Sequence, residues 1–158
     1  MEITTIGLVR QIQALNQRLL AWHRQDQASQ RLATIPGVGV MSATALAASV
    51  TDPRAFRSSR EFSASLGLVP RQNSSGGKDK LGRISKMGDR YLRKLLVVGA
   101  TSVVRRARTA DTAAANWVRG LLERKPARLV TVAMANKTAR IVWAVLACGE
   151  TYRSPAAA

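Results

Sequence analysis

Gly67-Leu-Val-Pro-Arg-Gln-Asn-Ser-Ser-Gly-Gly-Lys-Asp-Lys-Leu-Gly-Arg-Ile-Ser-Lys-Met-Gly-Asp-Arg-Tyr-Leu-Arg-Lys-Leu95 changes character halfway along. In its first half Pro70 removes a backbone donor, and Gly76-Gly77 opens backbone angles that other residues avoid. Its second half starts a helix, because Asp89 follows Gly88 and precedes an apolar run, the place of an N-cap acid. The reading is therefore a largely irregular segment from Gly67 to Gly88, feeding a helix from Tyr91 to Arg108. Between Arg71 and Lys94 stand eight basic residues, namely Arg71, Lys78, Lys80, Arg83, Lys86, Arg90, Arg93 and Lys94, against the two acids Asp79 and Asp89. A glycine-rich cationic loop with two adjacent hydroxyls, Ser74 and Ser75, suits a phosphate backbone.

Helical patterns flank this loop on both sides. Upstream, Leu8, Ile12, Leu15, Leu19 and Trp22 recur at spacings of four and three, the seam of a coiled-coil-like helix over residues 3–30. That helix either docks on its own domain or pairs with a second copy. Downstream, Leu92, Leu95, Leu96, Gly99, Val103 and Ala107 form one face, with Arg105, Arg106 and Arg108 at the dipole-matched end. A short helix over 116–125 stops before Pro126. A last helix over 129–148 turns Val132, Ala135, Ala139, Val142, Trp143 and Leu146 inward and ends at Gly149. Phe56, Phe62, Leu66 and Leu68 complete the expected core, and Trp117 and Trp143 read as core fillers. The fold class is all-α: a compact helical domain over 31–152, preceded by the helix of 1–30 and followed by a tail over 153–158.

Composition agrees with close-packed helices. Hydrophobic residues make up 46% of the 158 positions while aromatics make up 4%, which favours Ala- and Leu-rich helices over sheet. A net charge of +16 calls for a polyanionic partner, nucleic acid before membrane. No apolar run reaches the roughly 18 residues of a membrane span, and the N-terminus lacks the pattern of a signal peptide. A cytoplasmic, nucleoid-associated protein with no membrane partner is expected. The single Cys148 excludes an internal disulfide and reads as a small core residue. His23 reads as a surface residue. The nine acids are scattered, with no pair three or four apart, so the chain itself offers neither a metal-carboxylate site nor a cofactor site.

Ile35-Pro-Gly-Val-Gly39 separates two helical patterns and resembles a helix-hairpin-helix motif, with Gly37 and Gly39 letting the backbone approach a phosphate. A plain tight turn is the other reading of the same residues. Taken with Phe62 through Gly67-Leu-Val-Pro-Arg71, with Ser74-Ser-Gly-Gly-Lys78, with Leu81-Gly-Arg-Ile-Ser-Lys86, with Gly88-Asp-Arg-Tyr-Leu-Arg93, and with the joint segment of Ala135-Asn-Lys137 and Ala139-Arg-Ile141, it makes six ordered matches to a known family. The chain resembles the C-terminal domain of the DEDD-type insertion-sequence transposases, the IS one-ten group, to which the Piv DNA invertases are also similar.

That resemblance implies cutting and rejoining of DNA strands, guided by a structured RNA. It implies a nucleophilic serine, which maps onto Ser75, with Ser74 as its neighbour. It implies a partner RuvC-like domain whose four acids hold a divalent metal, magnesium, the two halves meeting across protomers of a homo-oligomer or with full-length transposase. The residues before 30 resemble only the family's inter-domain coiled coil, and no counterpart of the acidic domain is present in the sequence. A fragment, a truncated reading frame and a decayed copy all fit, and the chain alone is not expected to be active. Serine needs its proton removed or its alkoxide stabilised, and nothing near Ser75 does this. Arg71, Lys78, Arg83 and Lys86 supply only cations for the phosphate, with Lys80, Arg90 and Arg93 extending the basic surface. Two rival classes remain: a non-catalytic nucleic-acid-binding module, and a regulator that joins full-length transposases through its first helix.

An electrostatic interface has a measurable signature. If about five phosphates are neutralised, log K for duplex DNA falls against log salt with a slope near −4 to −5. Replacing Lys78, Lys80 and Arg83 together flattens that slope more than replacing Arg105, Arg106 and Arg108. A slope near zero in a salt titration overturns the reading of the loop.

Overall fold

A computed structural model describes residues 2–72 and 81–154 of the chain. Seven α-helices are found among them: α1 (Glu2–Gln25), α2 (Gln27–Ala33), α3 (Val40–Ser49), α4 (Ser59–Ser65), α5 (Arg90–Arg106), α6 (Ala113–Leu122) and α7 (Ala127–Cys148). A short 3-10 turn, Pro53–Ala55, lies between α3 and α4. The fold is all-α as the sequence indicates, with one addition. Pro70–Gln72 (β1) pairs antiparallel with Leu81–Ile84 (β2), Pro70 opposite Ile84 and Gln72 opposite Leu81, with a bulge between. The segment read as irregular is thus a two-stranded ribbon at its base. Pro70 is tolerated because it opens an edge strand, where its missing N–H costs no ladder bond.

Local chemistry sets most helix ends. The Asp89 carboxylate accepts from Leu92 N–H at 2.9 Å and starts α5 at the residue expected. Ser58 accepts from Glu61 N–H at 3.2 Å while the Glu61 carboxylate accepts from Arg57 N–H at 2.7 Å, a reciprocal cap on α4. Gly149 closes α7 with φ 70°, as anticipated. The single helix expected over 3–30 is broken at Asp26, whose side chain accepts from Ser29 N–H at 2.6 Å and begins α2. Buried Ser29 in turn holds half-buried His23 through Oγ and Nδ1, 2.7 Å apart.

The core is built on α7. Its buried residues Val130, Met134, Ala135, Thr138, Ala139, Val142 and Val145 pack against α4, α5, α2 and α6. Phe62, Leu66 and Leu68 are buried as expected, and so are Leu92, Leu96 and Ala107 of the α5 face. By length and composition alone α7 is apolar enough to cross a membrane, which the sequence reading did not anticipate. One face of it forms the centre of this core. Cys148 is exposed, not buried, because it lies in the last turn of α7 beyond Val145, where the core has ended. Trp143 does fill the core edge, its indole N–H donating to Pro53 O at 2.9 Å. Arg119 of α6 donates to Ala107 O at 2.7 Å and Ala110 O at 2.8 Å, satisfying carbonyls where α5 ends.

The apolar seam of α1 stays uncovered: Leu8 is 57%, Ile12 49% and Leu15 61% exposed. Among the described residues the helix leaves this seam open, and α2 and α3 are the elements it meets.

The backbone crossings at Gly88 and Gly99 admit only glycine. A Cβ on Gly88, whose φ is +75°, would stand 1.7 Å from Ser65 O. A Cβ on Gly99 would stand 1.9 Å from Gly37 O, where the turn before α3 lies on α5. Gly120 in α6 has open space around it. Urea denaturation therefore separates them. Gly88→Ala and Gly99→Ala each destabilise by at least about 2 kcal/mol, while Gly120→Ala stabilises by about 0.5–1 kcal/mol.

Candidate nucleic-acid interface

The cationic ribbon is seated by its own base. Gly67 (φ +69°) and Gly88 bracket it, and backbone bonds from Lys86 N–H to Gly67 O (3.1 Å) and from Ser85 N–H to Val69 O (2.9 Å) extend the pairing towards the domain. Lys86 itself adopts φ 56°, a left-handed angle unusual for a side-chain-bearing residue. That turn directs the chain from β2 into Met87 and Gly88, and so to the start of α5.

The cations read from sequence divide into distinct roles. Arg93 points its guanidinium at the ribbon base, donating to Leu66 O at 2.9 Å and Met87 O at 2.8 Å. It is a clamp joining the α4 end, the ribbon and α5. Arg71 donates to Ser85 O at 3.3 Å across the ribbon and is otherwise exposed. Arg83, Lys86 and Arg90 are exposed. Lys78, Lys80, Ser74 and Ser75 lie outside the described residues. Of the two glycines expected at a phosphate, Gly37 is pressed on Gly99 of α5, while Gly39 is exposed at the N-cap of α3 with no side-chain cap.

Sequence reasoning missed a cleft of about 1110 Å³ between the ribbon and α7. Leu68, Pro70, Arg83, Ile84 and Lys86 form one wall, and Leu129, Val132, Ala133, Lys137, Arg140 and Ile141 the other. Val132, expected in the core, faces this cleft instead. Asn136 ties the walls together, its amide donating to Leu68 O at 3.0 Å. Trp117 also lines the cleft, with Lys137 Nζ 4.3 Å from its ring centroid. Burial holds the Lys137 ammonium below the usual lysine range, and the ring face offsets part of that desolvation. The signal available in sequence was the Ala135-Asn-Lys137 segment, whose polar pair sits in an apolar helix.

Among the described residues no group of three or more His, Cys, Asp or Glu side chains comes together. What the arrangement offers is exposed positive charge at the base of the ribbon and along the cleft beside it.

Comparison with known proteins places this surface in context. Residues 29–115 match the family described as Transposase IS116/IS110/IS902. A protein of Pseudomonas aeruginosa named as a family 20 transposase is 50% identical over 92% of this chain and 43% of its own length. The transposase for insertion sequence element IS1328 of Yersinia enterocolitica is 43% identical over 92% of this chain and 43% of its own length. The transposase for insertion sequence element IS1111A of Coxiella burnetii is 43% identical over 87% of this chain and 38% of its own length. The chain thus spans about two fifths of these relatives.

The division of labour among the arginines is open to measurement. Arg93→Gln removes two charge-assisted bonds to carbonyls and lowers unfolding free energy by about 2–3 kcal/mol. Arg90→Gln changes it by less than about 0.5 kcal/mol. Equal effects in urea melts remove the clamp role from Arg93.

Proposed function

The chain belongs to the IS116/IS110/IS902 transposase family, and from that membership we propose that it is the DNA-binding, serine-bearing half of an RNA-guided transposase that cuts and rejoins DNA strands. The observation that carries this reading is the convergence of Arg71, Arg83 and Lys86 on the ribbon that leads into Ser74 and Ser75. The family match spans that whole segment.

Ser75 is the nucleophile of this proposal. Its oxygen bonds to the phosphorus of a strand, one bridging P–O bond breaks, and the departing strand oxygen takes up a proton. The serine proton leaves to a base on the acidic domain of this proposal; the nearest acid of this chain in sequence, Asp79, stands between Lys78 and Lys80. Negative charge gathers on the non-bridging oxygens as the bond forms. Arg71, Lys78, Arg83 and Lys86 oppose it, and one such cation contributes about 10³–10⁵ in rate in other phosphoryl transfers. Magnesium belongs to the acidic RuvC-like domain of this proposal, and no step of this chain runs through it. A structured guide RNA and the DNA substrate both add phosphates to a surface already cationic. The uncovered seam of α1 supports assembly with further copies or with full-length transposase.

A denaturing gel with labelled DNA tests the assignment in a complex completed by the acidic domain. Ser75→Ala abolishes the covalent protein–DNA adduct and strand transfer, whereas Ser74→Ala retains both. Stability changes by less than about 0.5 kcal/mol in either variant, and DNA affinity persists because no charge is lost. An adduct that survives in Ser75→Ala and disappears in Ser74→Ala moves the nucleophile by one residue. Duplex binding with no adduct from the parent protein favours the binding module.

A further inference from the structure

The cleft between the ribbon and α7 has a chemistry that a duplex does not match. Its floor is apolar, formed by Leu129, Val132, Ala133 and Ile141 with Trp117 at the side. Its rim is cationic, with Arg83 and Lys86 on the ribbon and Arg128, Lys137 and Arg140 on α7, and among the described residues no acid lines it. At about 1110 Å³ it stands at the upper end of the sites that small molecules occupy and has room for a short segment of a polymer.

We infer that this cleft binds unpaired nucleotides, the bases lying on the apolar floor and the phosphates on the Arg and Lys rim. This rests on the nucleic-acid reading above and names the form of nucleic acid taken. A duplex turns its phosphates outward and keeps its bases stacked inside, so it would leave the floor bare and set charged groups against it. An unpaired strand presents a flat apolar face and an anionic edge in every residue, the two chemistries that the cleft sets side by side. Lys137, resting on Trp117, places a desolvated cation where floor meets rim, and a phosphate there restores the partner that burial has taken away. The Asn136 bond to Leu68 O fixes the width of the cleft before any ligand arrives. The uncovered α1 of a second copy is a poor occupant, since the described part of its exposed face carries Arg10 and Arg18 and no acid to meet the rim. An acidic protein segment matches the charge but has no requirement for flat surfaces.

The test uses the 158-residue chain and fluorescence anisotropy with a 15-nucleotide oligothymidine, a duplex carrying the same number of phosphates, and a labelled polyglutamate peptide. Ala133→Phe fills the floor, and Ala144→Phe does so from an exposed position that leaves the core untouched. Circular dichroism verifies that each variant is folded. The expected result is a loss of about tenfold or more in oligothymidine affinity, the size of one lost stacking contact, with duplex affinity unchanged. Arg140→Gln weakens the same binding and lowers its salt dependence. Equal losses for duplex and oligothymidine, or no loss for either, overturn the inference. Polyglutamate binding that the two fillers abolish while oligothymidine binding persists overturns it as well and makes the cleft a protein-docking site. The serine reading stands or falls on the adduct gel, which these fillers do not enter, so failure of one is distinguishable from failure of the other.

Discussion

The ribbon that presents the cations depends on backbone lying directly on backbone at Gly88 and Ser65. There is no space for a Cβ at that crossing, 1.7 Å from the carbonyl oxygen, and the chain has φ +75° there. The contact seats the end of α4 under the start of α5 and fixes where both strands leave the domain. Gly67 meets Met87 in the same way one step along, its Cβ position 2.3 Å from Met87 O. Close approach of this kind brings the carbonyls of Leu66 and Met87 within reach of one arginine. Arg93 then satisfies both, and the base of the basic segment gains a rigid root.

From that root the electrostatics follow. A chain of net charge +16 has no shortage of cations, and the structure uses some for its own joints. Arg93 closes the ribbon base, Arg119 meets the end of α5, and Arg31 of α2 donates to Gly149 O at 3.1 Å. Each guanidinium spreads its charge over several donors and tolerates partial burial better than an ammonium. The cations left facing solvent, Arg83, Lys86 and Arg90 among them, remain available to a polyanion. Lys137 is intermediate: half-buried, held over Trp117, and placed where a phosphate would gain most from its charge.

The helical scaffold that carries these groups is ordinary in its local chemistry and specific in its crossings. Ala135 and Ala139 are buried small residues of α7, the helix against which α4 and α5 pack, and Gly37 on Gly99 brings the turn before α3 directly onto α5. One buried polar atom is left without a partner among the described residues, Thr138 Oγ1 on α7. The opposite side of α7 forms a wall of the cleft, so one helix both centres the core and borders the interface.

The sequence by itself determined the all-α class, the N-cap at Asp89, the C-cap at Gly149, the core places of Phe62, Leu66 and Leu68, and the cationic segment that six ordered matches tied to a transposase family. These features are legible because their causes lie within a turn or two of the residue concerned: a side chain capping its neighbour's N–H, a glycine accepting a left-handed angle, an apolar repeat. The tertiary structure decided what depends on distant partners. Arg93 binds a carbonyl 27 residues away, Asn136 one 68 away and Trp143 one 90 away, and no local pattern announces such pairs. For the same reason packing alone separated clamp from open cation, turned Val132 to a cleft, left Cys148 outside the core and the seam of α1 uncovered. The two-stranded ribbon escaped the sequence reading because its pairing is set by the clamped base, not by the propensity of three or four residues.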